Sequence, residues 1–153
     1  MTHGLRHLCA AACAAVLAAG AGCAPQGPPE QALRQWLDAA VAAFETKDRR
    51  VLAAMISPGY ADARGNSRRD LDERLRLVFL RGGSVRVTTA IDELTVIDDT
   101  AARIVLKAVM LDTEPGRLRL DADAWKVELE LEKAGDEWLL IGARWGALGR
   151  ELR

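Results

Sequence analysis

The pattern of apolar and polar positions divides the chain into an N-terminal helical part and a C-terminal part made of strands. In residues 33–44, apolar side chains recur every three or four positions, which places them on one face of a helix. Pro29 suits the first position of this helix, where its missing N–H group needs no partner. Asp48 is the predicted N-cap of a second helix, and Ser67 with Asp70 three residues later resembles the capping box of a third.

After the third helix the apolar period changes from about four to two, which indicates strands. Four strands are predicted, over residues 84–97, 103–110, 125–132 and 138–145. In the last of these, strict alternation puts Trp138 on the opposite face from Trp145, so we expect Trp138 in an interface with a partner. Helices followed by a run of antiparallel strands are typical of an α+β domain.

The first 22 residues have the three parts of a secretory signal. Arg6 and the amino terminus supply positive charge, residues 8–19 form an uncharged apolar run, and small residues then lead to Cys23. Residues 20–23, Gly-Ala-Gly-Cys, resemble the lipobox of bacterial lipoproteins, with Gly20 where a leucine-like residue is usual. The resemblance implies that Cys23 is freed by cleavage and acylated. The alternative is ordinary signal cleavage at residues 19–21, which gives a soluble secreted domain with one stray thiol.

Removal of the signal changes the composition of the remaining chain. Both histidines and two of the three cysteines precede Cys23, so residues 23–153 contain no His and a single Cys. A disulfide, a zinc site of His and thiolate, and nucleophilic catalysis with an imidazole base are therefore excluded, and no metal or cofactor is expected. Of the 21 Lys and Arg residues only Arg6 is lost, which leaves 20 against 22 acidic residues, a formal charge of −2. No long run of one sign appears, so nucleic acid is not an expected partner.

The mature chain resembles the NTF2-like superfamily, nearest in its SnoaL-like and ketosteroid-isomerase-like branches. The resemblance covers residues 30–147. It is carried by the order of helices and strands and by Ser57-Pro58-Gly59-Tyr60 after the second helix, followed by Asp62 and Gly65. It implies a cone in which three N-terminal helices pack on a curved, mostly antiparallel sheet of four to six strands. An apolar pocket at the open end and homodimers formed through the sheet are also implied.

Enzymes of this superfamily use carboxylates and tyrosine as acids and bases in the pocket. Three residues are candidates for that chemistry here: Asp62, near the family's acidic position, Tyr60, the only tyrosine, and Asp123, which is in phase with Trp125. The first helix carries no tyrosine, although ketosteroid isomerase has its oxyanion donor there. We therefore expect Asp62 to be a loop carboxylate in an Asx-turn and Asp123 to be solvated at the start of a strand.

Large apolar residues on the predicted inward faces are candidates for lining the pocket. They are Trp36, Phe44, Phe79, Met110, Trp125 and Trp145. Buried tryptophans contribute mainly to the core, and each ring N–H then needs a hydrogen-bond partner.

The sequence thus predicts one small domain attached to a membrane. The predicted segments are a signal peptide at 1–22, a Pro/Gly-rich tether with the lipidated Cys at 23–29, the domain at 30–147 and a tail at 148–153. The residue after Cys23 is Ala24 and not the Asp that resembles an inner-membrane retention signal, so we expect the periplasmic side of the outer membrane. The expected role is non-catalytic binding of a small apolar ligand or of a protein partner. The alternatives are a SnoaL-like isomerase, cyclase or hydrolase that uses pocket carboxylates, and a scaffold dimer whose pocket is filled by its own side chains.

Overall fold

Three helices are followed by four strands in this computed structural model, which describes residues 28–80, 83–113 and 122–152, without the side chains at 112, 113, 122 and 123. The elements are α1 (Pro29–Glu45), α2 (Arg49–Ala54), α3 (Arg68–Leu80), β1 (Ser84–Asp98), β2 (Ala101–Thr113), β3 (Ala122–Ala134) and β4 (Glu137–Ala147). The strands form one antiparallel sheet in the order β1-β2-β3-β4. The predicted α+β architecture is therefore confirmed, with four strands in the described sheet. The predicted signal, Cys23 and residues 24–27 of the predicted tether lie outside the described residues, as do residues 114–121 between β2 and β3.

The starts of the helices follow the predicted local chemistry. Pro29 occupies the first position of α1. The Asp48 side chain accepts a hydrogen bond of 3.0 Å from the Val51 N–H and so caps α2. Ser67 and Asp70 form the reciprocal capping box, because the Ser67 N–H donates to the Asp70 carboxylate at 2.8 Å and the Asp70 N–H donates to the Ser67 hydroxyl at 3.4 Å.

The core lies between α1 and the concave face of the sheet. Leu33 and Leu37 of α1 pack with buried residues of β2, β3 and β4. Those residues are Ala102, Ile104, Leu106, Leu131 and Trp138. Leu33 and Ile104 have no exposed surface, so the apolar stripe of α1 provides the contact that closes the domain at this end.

The expected position of Trp138 in an interface is wrong, because a β-bulge changes the alternation of β4. The pairing of β3 with β4 shifts between Glu130 and Leu131, so that Ile141 becomes an extra residue. Two residues on opposite sides of the bulge therefore lie on the same face of β4 when they are an odd number of positions apart. Trp138 is 7% exposed in the core, on the same face as Trp145.

The outer edge of β4 is covered by the chain that follows α2. Backbone N–H groups of Ser57, Ala61 and Ala63 donate to β4 carbonyls at 2.9, 3.0 and 3.1 Å. This segment hides an edge that would otherwise present unpaired backbone groups. It also fixes Tyr60 and Asp62, the two candidates for chemistry that follow α2, next to the sheet.

None of the helices within residues 28–152 that the structure describes is long and apolar enough to span a membrane.

Candidate functional site

A cavity of about 450 Å³ lies between α1, the start of α3 and the concave face of the sheet. It opens to solvent on one side. Its wall is formed by Trp36, Leu37, Ala40, Val41, Phe44, Leu52, Tyr60, Leu71, Val87, Leu106, Ala108, Met110, Trp125, Val127, Leu129, Leu140, Ala143 and Trp145. None of these residues carries a charge, so the wall favours an uncharged, apolar occupant.

Five of the six residues predicted to line a pocket are in this wall. They are Trp36, Phe44, Met110, Trp125 and Trp145. The sixth, Phe79, is not in the wall and instead packs edge-to-face on Phe44, with 5.4 Å between the ring centroids. Phe79 therefore supports the cavity from behind.

Two of the three wall tryptophans have no hydrogen-bond partner for their ring N–H. The Nε1 atoms of Trp36 and Trp125 are both buried, and neither donates a hydrogen bond. A buried donor without an acceptor costs about 1–3 kcal/mol. These two unpaired N–H groups therefore lower the stability of the domain, although neighbouring side chains keep them out of contact with solvent.

The third wall tryptophan, Trp145, is contacted by a residue outside the wall. The guanidinium carbon of Arg64 lies 4.5 Å from the ring centroid of Trp145, a cation–π contact. Arg64 itself is exposed and is not part of the wall. No sequence signal identified this contact, because the two residues are far apart in the chain and Arg64 lies in an irregular loop.

Of the two candidates for acid–base chemistry whose side chains the structure describes, Tyr60 lies in the cavity wall and Asp62 does not. Its side chain is 4% exposed. Burial, followed by the negative charge of Asp62 and a hydrogen bond to that carboxylate, raises the pKa of the Tyr60 hydroxyl far above its ordinary value. Tyr60 is thus a neutral phenol at neutral pH, and its hydroxyl donates a hydrogen bond to the Asp62 carboxylate.

Asp62 is 7% exposed and lies outside the wall. Its Oδ1 accepts hydrogen bonds from the backbone N–H groups of Arg64 and Asn66, each at 2.9 Å, and its Oδ2 accepts one from the Asn66 side chain at 2.7 Å. The first of these bonds is an Asx-turn. Burial raises the pKa of Asp62, but the hydrogen bonds from Asn66 and Arg64 and the charge of Arg74 outweigh burial and hold the pKa below its ordinary value.

Asp123 can be placed only by its backbone. It pairs with Met110 of β2 and lies on β3 two positions before the wall residue Trp125. Its side chain is outside the described residues. Tyr60 and Asp62 are therefore the only two of the three candidates that the described side chains bring together.

No group of three or more His, Cys, Asp or Glu residues among the described side chains could hold a metal ion.

The wall residues that sequence reasoning did not select are small or aliphatic. Leu52, Leu140 and Ala143 are examples. Leu140 reaches the wall because the bulge in β4 changes the face on which it lies, and the bulge has no local sequence signal.

Solved structures with the same fold give this cavity a context. A member of the NTF2-like family from Streptomyces avermitilis has a TM-score of 0.68 at 11% identity and matches 78% of this chain and 97% of its own. A ketosteroid isomerase-like protein from Erwinia carotovora has a TM-score of 0.62 at 14% identity, with 79% and 97% matched. Bdellovibrio bacteriovorus Bd1075 has a TM-score of 0.66 at 13% identity over 77% of this chain, but this chain spans only 41% of that protein.

The TM-scores of these structures show that the chain has the fold of an NTF2-like α+β cone, and at 11–14% identity the likeness shows the fold alone. No protein-family model matches the sequence, and no curated protein matches it either.

Proposed function

We propose that this chain is a lipoprotein anchored through Cys23 on the periplasmic side of the outer membrane, and that its cone binds a small, uncharged, apolar ligand without catalysing a reaction. The observation that carries the proposal is the apolar cavity of about 450 Å³. Binding pockets for small molecules fall in the range of about 300–1,000 Å³ and are mostly apolar.

Water is a poor occupant for this cavity. A buried water needs about two to four polar partners, and the Tyr60 hydroxyl in the wall already interacts with Asp62. Water that enters from the open side therefore gains few hydrogen bonds in this cavity. An apolar ligand that displaces this water buries the apolar wall, which supports binding of such a ligand.

The enzymatic alternative is favoured by one observation, the buried Tyr60 next to Asp62. That pair lacks the properties of an acid–base pair in the pocket. A general base works best with a pKa near the operating pH, whereas the pKa of Asp62 is lowered and its carboxylate is held by the loop. The pair therefore supports a structural role, and a ketosteroid-isomerase-like activity is the second candidate.

Ligand binding is tested by native mass spectrometry of the mature chain and by titration with Nile red, an uncharged apolar dye. Ala40 lies in the wall, and its neighbour Ala39 is exposed on the other side of α1. Ala40→Leu should weaken binding of the dye by about tenfold or more, because the added side chain occupies the cavity. Ala39→Leu is the matched control and should bind as the wild type does. Equal binding by both variants would show that the dye does not enter this cavity.

Acylation is tested separately from ligand binding. Cys23→Ser should remove the acyl mass and move the protein from the membrane fraction to the soluble fraction. Cys13→Ser is the matched control, because Cys13 lies within the signal. If Cys23→Ser stays in the membrane fraction and the wild type has no acyl mass, the anchor is disproved. Native mass spectrometry of the same samples also reports whether the chain forms the homodimer that the family resemblance implies.

A further inference from the structure

The outward face of α3 changes from charged to apolar along the helix. In the first half this face carries Arg69, Asp70 and Glu73. In the second half it carries Leu77 and Leu80, which are 58% and 70% exposed, and Val78 beside them is 41% exposed. A stable surface helix normally presents polar residues to water along its whole length, so the second half of α3 is unusual.

Exposed apolar residues are concentrated in this segment and scattered elsewhere. Within the described residues, six large apolar side chains are exposed, and three of them lie in residues 74–80. The other three, Val51, Ile97 and Leu148, lie in α2, at the end of β1 and after β4. Single exposed apolar residues are ordinary, but a cluster marks an interaction surface.

The charges of the same segment match an anionic surface. Residues 74–80 contain Arg74 and Arg76 and no acidic residue, whereas the acidic residues of α3 are all in its first half. Arg74 donates a hydrogen bond of 2.9 Å to the Asn66 side chain, and its charge also acts on Asp62 and Asp70. Arg76 forms no ion pair with any described residue and is therefore the cation available to an anionic surface. Apolar side chains flanked by arginines are the composition of helices that lie in the headgroup region of a bilayer.

The proposed anchor brings this segment within reach of a membrane. Five residues separate Cys23 from Pro29, and that tether spans about 20 Å when extended. α1 has 17 residues and is about 25 Å long. Phe44, near the C-terminal end of α1, packs on Phe79 of α3. The tether and the length of α1 together span about 45 Å, so a bilayer that holds Cys23 is within reach of the second half of α3.

We propose that residues 74–80 of α3 are a membrane-contact surface that lies in the headgroup region of the bilayer. The inference rests on the proposed anchor and ligand binding. α3 also borders the cavity, because Leu71 is in its wall and Phe79 supports the wall residue Phe44. Contact through α3 thus brings the cavity next to the lipid phase, where an apolar ligand is exchanged with little exposure to water.

The test measures binding of the mature chain to vesicles in the absence of the acyl anchor. The protein is residues 23–153 with Cys23→Ser, which keeps every described helix and strand. It is sedimented with vesicles of phosphatidylethanolamine and phosphatidylglycerol and with vesicles of phosphatidylcholine alone. We expect binding to the anionic vesicles that is weaker on the neutral vesicles and falls as salt is added.

The variants distinguish vesicle binding through α3 from non-specific binding through other exposed apolar residues. Leu77→Gln combined with Leu80→Gln should weaken binding to the anionic vesicles by about tenfold or more, since both apolar side chains leave the interface. Ile97→Gln is the control, because Ile97 is 59% exposed at the end of β1 and should leave binding unchanged. Circular dichroism melts should be alike for all variants, since none of the three side chains is buried.

Three results would overturn the proposal. The first is a wild-type domain that does not bind anionic vesicles, and the second is a Leu77/Leu80 variant that binds as well as the wild type. The third is a dimer in light scattering that dissociates in the Leu77/Leu80 variant, which would assign the surface to a second copy of the chain. Nile red titration of the same samples separates failure of the membrane contact from failure of the proposed ligand binding. If the dye binds but the vesicles do not, only the membrane contact is rejected. If the dye does not bind, the proposed ligand cavity is rejected.

Discussion

At the scale of single residues, the Asp62 carboxylate organises the loop between α2 and α3. It accepts hydrogen bonds from the backbone of Arg64 and from both the backbone and the side chain of Asn66. All of these donors are within four positions of Asp62, so an Asx-turn was predictable from the local sequence. The nearby charge of Arg74 comes from α3 and was not predictable in that way.

Asp62→Asn should lower the free energy of unfolding by about 1–3 kcal/mol at neutral pH, because an amide cannot accept all of these hydrogen bonds. The folded-state pKa of Asp62 lies below its unfolded value. The contribution is therefore present at neutral pH and is lost as the pH falls below about 4. Urea unfolding at neutral and acidic pH should show a difference between wild type and variant that narrows in acid. Asp136→Asn, in the exposed turn before β4, should show no such difference at either pH.

Tyr60 gives a second prediction, at the opposite end of the pH range. The folded-state pKa of Tyr60 is raised, so folding is favoured fully below the unfolded pKa of about 10 and less as the pH rises above it. Tyr60 is the only tyrosine, so phenolate absorbance reports on it alone. We expect no phenolate in the folded protein near pH 10.5 and its appearance only on unfolding. A phenolate that forms near pH 10 in a protein that is still folded would contradict this. Tyr60→Phe should lose less stability between neutral pH and pH 10.5 than the wild type.

At the scale of elements, the sequence predicted where strands occur better than which way their side chains point. Alternation identified β4, but the bulge at Ile141 reversed the faces of its first half. The residue after the bulge, Gly142, is tightly enclosed by other segments: a Cβ there would come within 3.2 Å of the Glu130 side chain and 3.3 Å of the Ala61 carbonyl. Neither neighbour is visible in the pattern of β4 itself.

Because of the bulge, we expect alanine substitutions at two neighbouring residues of β4 to lower the free energy of unfolding by different amounts. Trp138→Ala should lower the free energy of unfolding by about 3–5 kcal/mol, because Trp138 is 7% exposed and packs in the core. Leu139→Ala, at a half-buried position on the other face, should cost clearly less. Chemical denaturation measures both, and size-exclusion chromatography checks the oligomeric state. If Trp138→Ala were mild and changed the oligomeric state, the interface first expected from the sequence would be right after all.

At the scale of the whole molecule, the cavity depends on contacts between segments that are distant in sequence. Period and residue type predicted the inward faces of α1, β2 and β3, and most large wall residues follow from them. Phe79 shows the limit of that reasoning: it has the right periodicity but meets Phe44 before it reaches the cavity. The position of Leu140 in the wall depends on the bulge, which only the folded chain displays.

A cone kept open for a ligand should be less stable when empty than the same cone partly filled. In the ligand-free protein, Ala40→Leu should raise the free energy of unfolding by about 0.5–2 kcal/mol, because the added carbon atoms bury apolar surface in existing space. Ala39→Leu, on the exposed side of α1, should change it by less than about 0.5 kcal/mol. An excess of Nile red should then stabilise the wild type and the Ala39 variant by mass action, and the Ala40 variant by about 1.4 kcal/mol less, as tenfold weaker binding requires. Thermal melts with and without the dye measure both effects. If Ala40→Leu destabilised the empty protein, the wall would already be closely packed there and the space at Ala40 would not accept a ligand.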